Sequence, residues 1–524
     1  LLDRYVAIDL ETTGLNPDLD SIIEVGLVKV SGGEIIDTLH TLVLPPVKLP
    51  LFIKRLTGIQ DHMLEDAPRI DSIRGHIAAF IEGENLLGHN AGFDVGFVES
   101  ALGRVIGNPI YDTLELSRVI MPSAKSYRLA QLCKVAGIKT EAIHRALEDA
   151  MAVIKLFDHL SRSVCGLDGH SIAYLESLLK KARSPWGVML SGYTGISLGD
   201  HFYQRGRENY NQDQYRVYEN SEPWGHVAPE EIRGIISSGG ALSRSLPLYE
   251  YRPQQEEMAC EVARAFNEKK LLMVEAGTGT GKSISYLLPS LLWVAGGGPR
   301  VVISTKTVNL QDQLWFKDIP QLMRCLGLNV KSVLAKGRSN YLCRRRWDSI
   351  LSEGLWTEQE ARFYARVLVW VNETKSGDKV DLNLTHQEEE AWHNICAESE
   401  NCMGFRCRHF SGQCFVSRSR REAESSGLII TNHALLFSDI KTGNMVLPTY
   451  GPLIIDEAHH LEDVATEQLG RQVSRSDLRR WLSRSARTVL KSWETVPPTD
   501  SDRWMQNLIS MREEINGLRT ISEE

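Results

Sequence analysis

The sequence predicts an α/β protein of several domains, on three observations. Residues 5–44 are β-branched-rich and punctuated by Gly, Asn, Pro and Asp, then give way to helix-spaced stretches. From 249 a second pattern starts, with short continuous apolar runs separated by helical stretches. Between 343 and 414 a cysteine-rich segment interrupts that pattern. A length of 524 residues exceeds one compact domain. The expected division is 1–163 and 246–342 with 415–460 as two α/β domains, 164–245 as a connector, 343–414 as an insertion, and 461–524 as helical.

Composition is ordinary for a globular protein, at 42% apolar and 24% charged residues. No apolar run reaches the ~20 residues that span a bilayer, so a membrane partner is not expected and cytoplasm is the default. Net charge is −8, so any contact with phosphates must come from a local basic groove. Arg344, Arg345 and Arg346 form one basic cluster and Arg418, Arg420 and Arg421 another, each read alone as a solvated face.

In the first domain YVAIDLE, IIEVGLVKV and IIDTLHTLVLP read as strands. IDSIRGHIAAFIEG, FDVGFVESALG, RLAQLCKVAG and EDAMAVIKLFDHL carry apolar residues at i, i+3 and i+4. In the second domain KLLMVEA, RVVIST, GLIITNH and YGPLIID read as buried parallel strands. The connector contains the short helix LESLLKKA and Gly- and Ser-rich stretches.

Asp9 and Glu11 lie two apart in a strand, so both carboxylates share one face. A tight TTG turn follows. GHNAGFD (88–94) delivers Asp94 at a helix start, and HRALEDA (144–150) delivers His144 and Asp149. Four carboxylates in one pocket repel unless cations neutralise them. Two Mg²⁺ or Mn²⁺ ions about 4 Å apart suit phosphodiester hydrolysis, with His144 as general base because imidazole titrates near working pH. These residues resemble the DEDDh exonucleases, DnaQ-like enzymes with an RNase H-like fold, over roughly residues 3–160. The resemblance implies 3′→5′ hydrolysis releasing nucleoside monophosphates. It leaves DNA and RNA both open as substrate.

AGTGTGKS (276–283) stands between the predicted strand LLMVE and the helix-like SISYLLPSLLWV, the context of a phosphate-binding loop. Ala276, Gly277, Thr278, Gly279, Thr280 and Gly281 supply the cradle for ATP, and Lys282 reaches the β- and γ-phosphates. Ser283 ligates Mg²⁺. In IIDEAH (454–459) an apolar strand carries Asp456 to the Mg²⁺ shell, and Glu457 polarises the attacking water. Gln255 of RPQQ is placed to read the adenine edge. STKTVNLQDQL (304–314) and TNHALL (431–436) complete a set that resembles superfamily 2 DNA helicases of the DinG type, over roughly 246–524.

Cys343, Cys402, Cys407 and Cys414 can hold a [4Fe–4S] cluster or a zinc ion, and Cys396 is a fifth candidate. Spacing does not choose; the resemblance implies iron, in an insertion between the phosphate loop and DEAH. It also implies a second motor domain, single-stranded or forked DNA as partner, and a helical arch beginning at RRWLSRSARTVL (479–490), within which the chain is expected to end. The reading is an exonuclease fused to an incomplete ATP-dependent helicase. A nuclease with a non-translocating, nucleotide-gated regulatory module is the alternative.

Overall fold

The computed structural model describes residues 2–140, 144–191, 225–246, 249–277, 280–470, 506, 507 and 510. They fall into two compact units: one from the described residues of 1–206 with 356–394, the other from those of 207–355 and 395–524.

The first unit is built on a five-stranded sheet. Its strands are β1 (Arg4–Thr12), β2 (Ile22–Ser31), β3 (Glu34–Leu42), β4 (Leu86–Gly88) and β5 (Ile110–Asp112), in the order β3-β2-β1-β4-β5. The first three pair antiparallel, and β1-β4 and β4-β5 pair parallel. Gly32 and Gly33 close the β2–β3 hairpin with φ of 60° and 83°, the positive values that a two-residue hairpin turn demands. Val6, Ile8, Val25 and Leu27 are fully buried, so the centre of the sheet is covered. The helix Ala146–Cys165 lies on β1 and β2. It buries Ala146, Ala150, Val153, Phe157, Leu160 and Val164 along one stripe.

The connector expectation needs correction at both ends. Helices Gly169–Lys181 and Pro185–Leu190 belong to the first unit, where Trp186 is buried and its indole N–H donates to the Asp112 carbonyl at 3.0 Å. Helices Pro229–Ile236 and Ala241–Ser245 belong to the second, whose core takes in Ile232, Ile236 and Leu242. Residues 192–224, with most of SGYTGISLGD, lie outside the described residues.

The insertion is also not one body. Its middle, 356–394, packs with the first unit, while its cysteine-bearing flanks stay in the second. The helix Glu358–Glu373 explains this. Ala361, Phe363, Tyr364, Ala365, Val367, Leu368, Val369, Trp370 and Val371 are all buried, so its 363–371 stretch is covered on every side. Helices Gly169–Lys181 and Thr113–Ile120 are among its neighbours.

The second unit carries a parallel sheet ordered β7-β8-β6-β9: β6 (Val301–Thr305), β7 (Ser332–Leu334), β8 (Leu428–Asn432) and β9 (Leu453–Ile455). Three expected strands are present. KLLMVEA is not a fourth: residues 270–277 have no regular structure, and Leu271 and Met273 are 94% and 89% exposed. Without cover, these side chains contribute no burial free energy to hold a strand in the ladder. Of the expected arch, the helix Leu461–Leu469 is described, whereas RRWLSRSARTVL lies outside the described residues.

Candidate functional site

The first unit gathers the four acids. Asp9 and Glu11 stand on β1 opposite Gly26 and Glu24 of β2. Asp94, in the first turn of the helix Ala91–Leu102, accepts the Leu10 backbone N–H at 2.9 Å, which ties it to β1 between the other two. Asp149, in the first turn of the 146–165 helix, accepts the His144 backbone N–H at 3.1 Å. Side-chain ligand atoms of Glu11, His144 and Asp149 lie within 4.8 Å of one another. His144 has a left-handed backbone, φ 65°, a conformation that costs a non-glycine residue on the order of 1 kcal/mol or more.

The carboxylates act on one another electrostatically. Burial, then Asp94, Asp149 and Glu11, raise the Asp9 carboxyl well above its ordinary range. Burial, then Asp149 and Glu24, push Glu11 up to about 7. Asp94 and Asp149 are also raised, chiefly by burial, and backbone N–H groups of Leu10 and His144 offset part of it. The donor set is all oxygen and imidazole, with Asp94 buried and the others half-buried, and it is too rich in negative charge to stay ionised alone. That fits divalent cations.

Glu24 braces the site, a contact that sequence reasoning missed. It is fully buried and receives Arg145 through Nε at 3.1 Å and Nη2 at 2.8 Å, the Ala146 N–H at 3.1 Å and His40 Nε2 at 2.8 Å. Burial opposes its ionisation, yet these donors hold its carboxyl below the usual range. Glu24 thereby clamps the chain immediately after His144 onto β2. Its signal was a charged residue in the apolar run IIEVGLV. Gly26 makes the approach possible, because a Cβ there would sit 2.3 Å from the Ala146 carbonyl carbon.

In the second unit Lys282 begins the helix Lys282–Ala295, after Gly281 in left-handed backbone (φ 81°). Lys282 Nζ lies 3.7 Å from Glu457 Oε1. Asp456 directly follows β9 and accepts the Tyr286 hydroxyl at 3.0 Å; Ser283 hydrogen-bonds the same tyrosine. Tyr286, which the motifs did not flag, thus joins the two expected Mg²⁺ ligands. Ala276, Lys282, Tyr286, Asp456, Glu457 and His459 line a cavity of about 810 Å³, within the size range of small-molecule sites. Gly277, Thr280 and Gly281 are described, whereas Thr278 and Gly279 are not. Gln255 does not present an open edge. It is buried, and its amide donates to the Gly281 carbonyl at 3.1 Å, so it braces the loop from below.

Cys343, Cys402, Cys407 and Cys414 line one cavity of about 90 Å³. Cys396 is absent from that lining; it is fully buried and bridged through its backbone to Leu342. Arg344, Arg345, Arg346 and Arg420 join the same wall, which corrects their reading as solvated faces. Burial lowers the Arg420 guanidinium pKa, and proximity to Cys402 and Cys414 works the other way. Four thiols ringed by cationic groups fit a metal group bound by thiolates.

Comparisons with known proteins agree with the first unit. Residues 6–157 match the RNase_T family, described as exonuclease. Across 92% of its length the chain is 31% identical to "3'-5' exonuclease DinG" of Bacillus subtilis (strain 168), covering 52% of that protein. It is 29% identical to the protein of the same name in Staphylococcus aureus (strain USA300), over 91% of this chain and 52% of that one. A solved structure titled "Exonuclease X in complex with 5' overhanging duplex DNA" aligns with 31% of this chain and 94% of its own at 26% identity, with a TM-score of 0.26. The chain spans about half the length of the curated relatives it matches. It therefore carries an α/β exonuclease domain in its N-terminal unit.

Proposed function

We propose that the chain is a metal-dependent 3′→5′ DNA exonuclease joined to an ATP-binding motor-type unit with a cysteine-bound [4Fe–4S] cluster. One observation carries the nuclease reading: Asp9, Glu11, Asp94 and Asp149 converge beside His144 in one half-buried pocket. These four acids would hold two Mg²⁺ or Mn²⁺ ions. When bound, such ions lower the pKa of a water and stabilise charge on the attacking and leaving oxygens. His144, within reach of Glu11 and Asp149, takes the proton of the attacking water. Asp149 fixes the His144 backbone, and Glu24 with Arg145 keeps both at the pocket.

In the second unit Lys282 would bind the β- and γ-phosphates of ATP, Ser283 and Asp456 would hold its Mg²⁺, and Glu457 would orient the water. Cys343, Cys402, Cys407 and Cys414 would hold the cluster, which stiffens the insertion when bound. ATP-driven unwinding is the motor reading. The division of the insertion between two units favours a second one, in which nucleotide or cluster state gates the nuclease.

The test is hydrolysis of end-labelled single-stranded DNA, with matched RNA, by the purified chain with Mg²⁺. Mononucleotides released from the 3′ end, lost in Asp9→Asn, are expected. Release that survives Asp9→Asn, or that starts from the 5′ end, sinks the proposal. Rates with and without ATP, with Lys282→Ala as control, separate gating from independence.

A further inference from the structure

The helix Glu358–Glu373 carries a charge where none is expected. Arg366 sits amid its buried apolar residues and is 3% exposed. A buried guanidinium persists only where it is paired on several sides. Arg366 Nη1 reaches Glu388 at 3.1 Å. Its Nη2 donates to the Pro122 carbonyl at 2.8 Å, to the Tyr127 hydroxyl at 3.3 Å and to the Leu382 carbonyl. The guanidinium also lies 5.6 Å from the Tyr127 ring centroid.

Tyr127 passes this fixation on. Its own hydroxyl donates to the Met121 and Pro122 carbonyls, so Arg366 and Tyr127 converge on one loop. Its carbonyl accepts His89 Nε2 at 2.8 Å. His89 Nδ1 lies 3.0 Å from Thr113 Oγ1, which bonds the Gly88 carbonyl at 2.9 Å. The next residue, Asn90, donates its N–H to Asp112 at 2.9 Å and opens the helix that presents Asp94. A continuous set of contacts therefore runs from Arg366 to the turn that sets Asp94.

We propose that Arg366 is a positioning residue of the nuclease pocket, acting through Tyr127 and His89 on the 88–94 turn, so that cation binding depends on the docked 356–394 segment. The proposal rests on the nuclease reading for its consequence in catalysis, but not for its test.

The test measures Mn²⁺ binding to the full chain by electron paramagnetic resonance, taking the component lost in Asp9→Asn. Arg366→Ala and Arg366→Met are expected to raise its Kd at least fivefold, and Tyr127→Phe, which removes one hydroxyl, two- to threefold. Lys379→Ala, on the same segment, leaves it unchanged. Circular dichroism sets the folded fraction, and if neither Arg366 variant folds, Tyr127→Phe decides. A folded Arg366 variant with Kd within twofold of the unaltered chain overturns the proposal, as does an unchanged Kd in Tyr127→Phe. If the unaltered chain binds Mn²⁺ yet cuts no nucleic acid, the nuclease reading fails and the Mn²⁺ comparison still decides the role of Arg366.

Discussion

The nuclease pocket and the nucleotide cradle both place acids at a β-strand, but they are held in opposite ways. In the pocket the acids that meet Asp9 and Glu11 of β1 are held by the main chain: Leu10 N–H fixes Asp94 and His144 N–H fixes Asp149, while Glu24 of β2 clamps Arg145. In the cradle the segment before the phosphate loop is exposed, and Lys282 leans on Glu457 at 3.7 Å with both side chains about a third exposed. Packing alone assembles the first site and leaves it electrostatically unsatisfied. The second has its charges loosely paired with each other. The pocket's unneutralised charge fits cations, whereas in the cradle Lys282 and Glu457 partly neutralise each other.

The sharpest way to break that comparison is to unseat one acid. Asp94→Asn keeps shape and removes charge, and is expected to cut nuclease turnover on the order of a thousandfold, read as mononucleotide release. His144→Ala removes the proposed base and is expected to cost about a hundredfold or more, with Mn²⁺ affinity less affected. Gly26→Val strikes the packing instead. Its Cβ would meet the Ala146 backbone, so a loss of about 3 kcal/mol in urea unfolding of the first unit is expected, with ATP binding retained. Lys282→Ala is the converse and should weaken ATP binding at least tenfold by calorimetry. The smallest effect is in pH. Metal-free, Glu11 holds its proton to about pH 7, whereas the unfolded chain releases it near 4.5. The folded state binds the extra proton, so stability falls as pH rises through that window. A melting temperature in EDTA that drops between pH 5 and pH 8, and recovers with Mg²⁺, is expected. A flat profile would show the acids apart.

Much of this was legible because local rules carried it. The i and i+2 acids, the helix-start Asp94 and three of the four strand runs follow from short-range pattern. What was not legible depends on partners far along the chain. Glu24 acquires its role from Arg145, 121 residues away. The insertion was legible only by its cysteines; the helix at 358–373 and the surfaces that cover it lie far apart in sequence, so its place in the first unit could not be read. LLMVE has the composition of a strand, and composition does not supply cover. Gln255 has the chemistry to read a base, and only the fold shows its amide spent on Gly281.

The chain leaves the second unit at 355–356 and returns at 394–395. A ribosome delivers polypeptide from the N-terminus, so the nuclease strands emerge well before the helix that completes their unit. Until that helix is made, the apolar faces of 113–120 and 169–181 lack a neighbour they finally acquire. Excising the first 190 residues as a stand-alone enzyme would leave those two helices without that neighbour permanently, and a lower urea midpoint than that of the first unit in the full chain is the expected outcome.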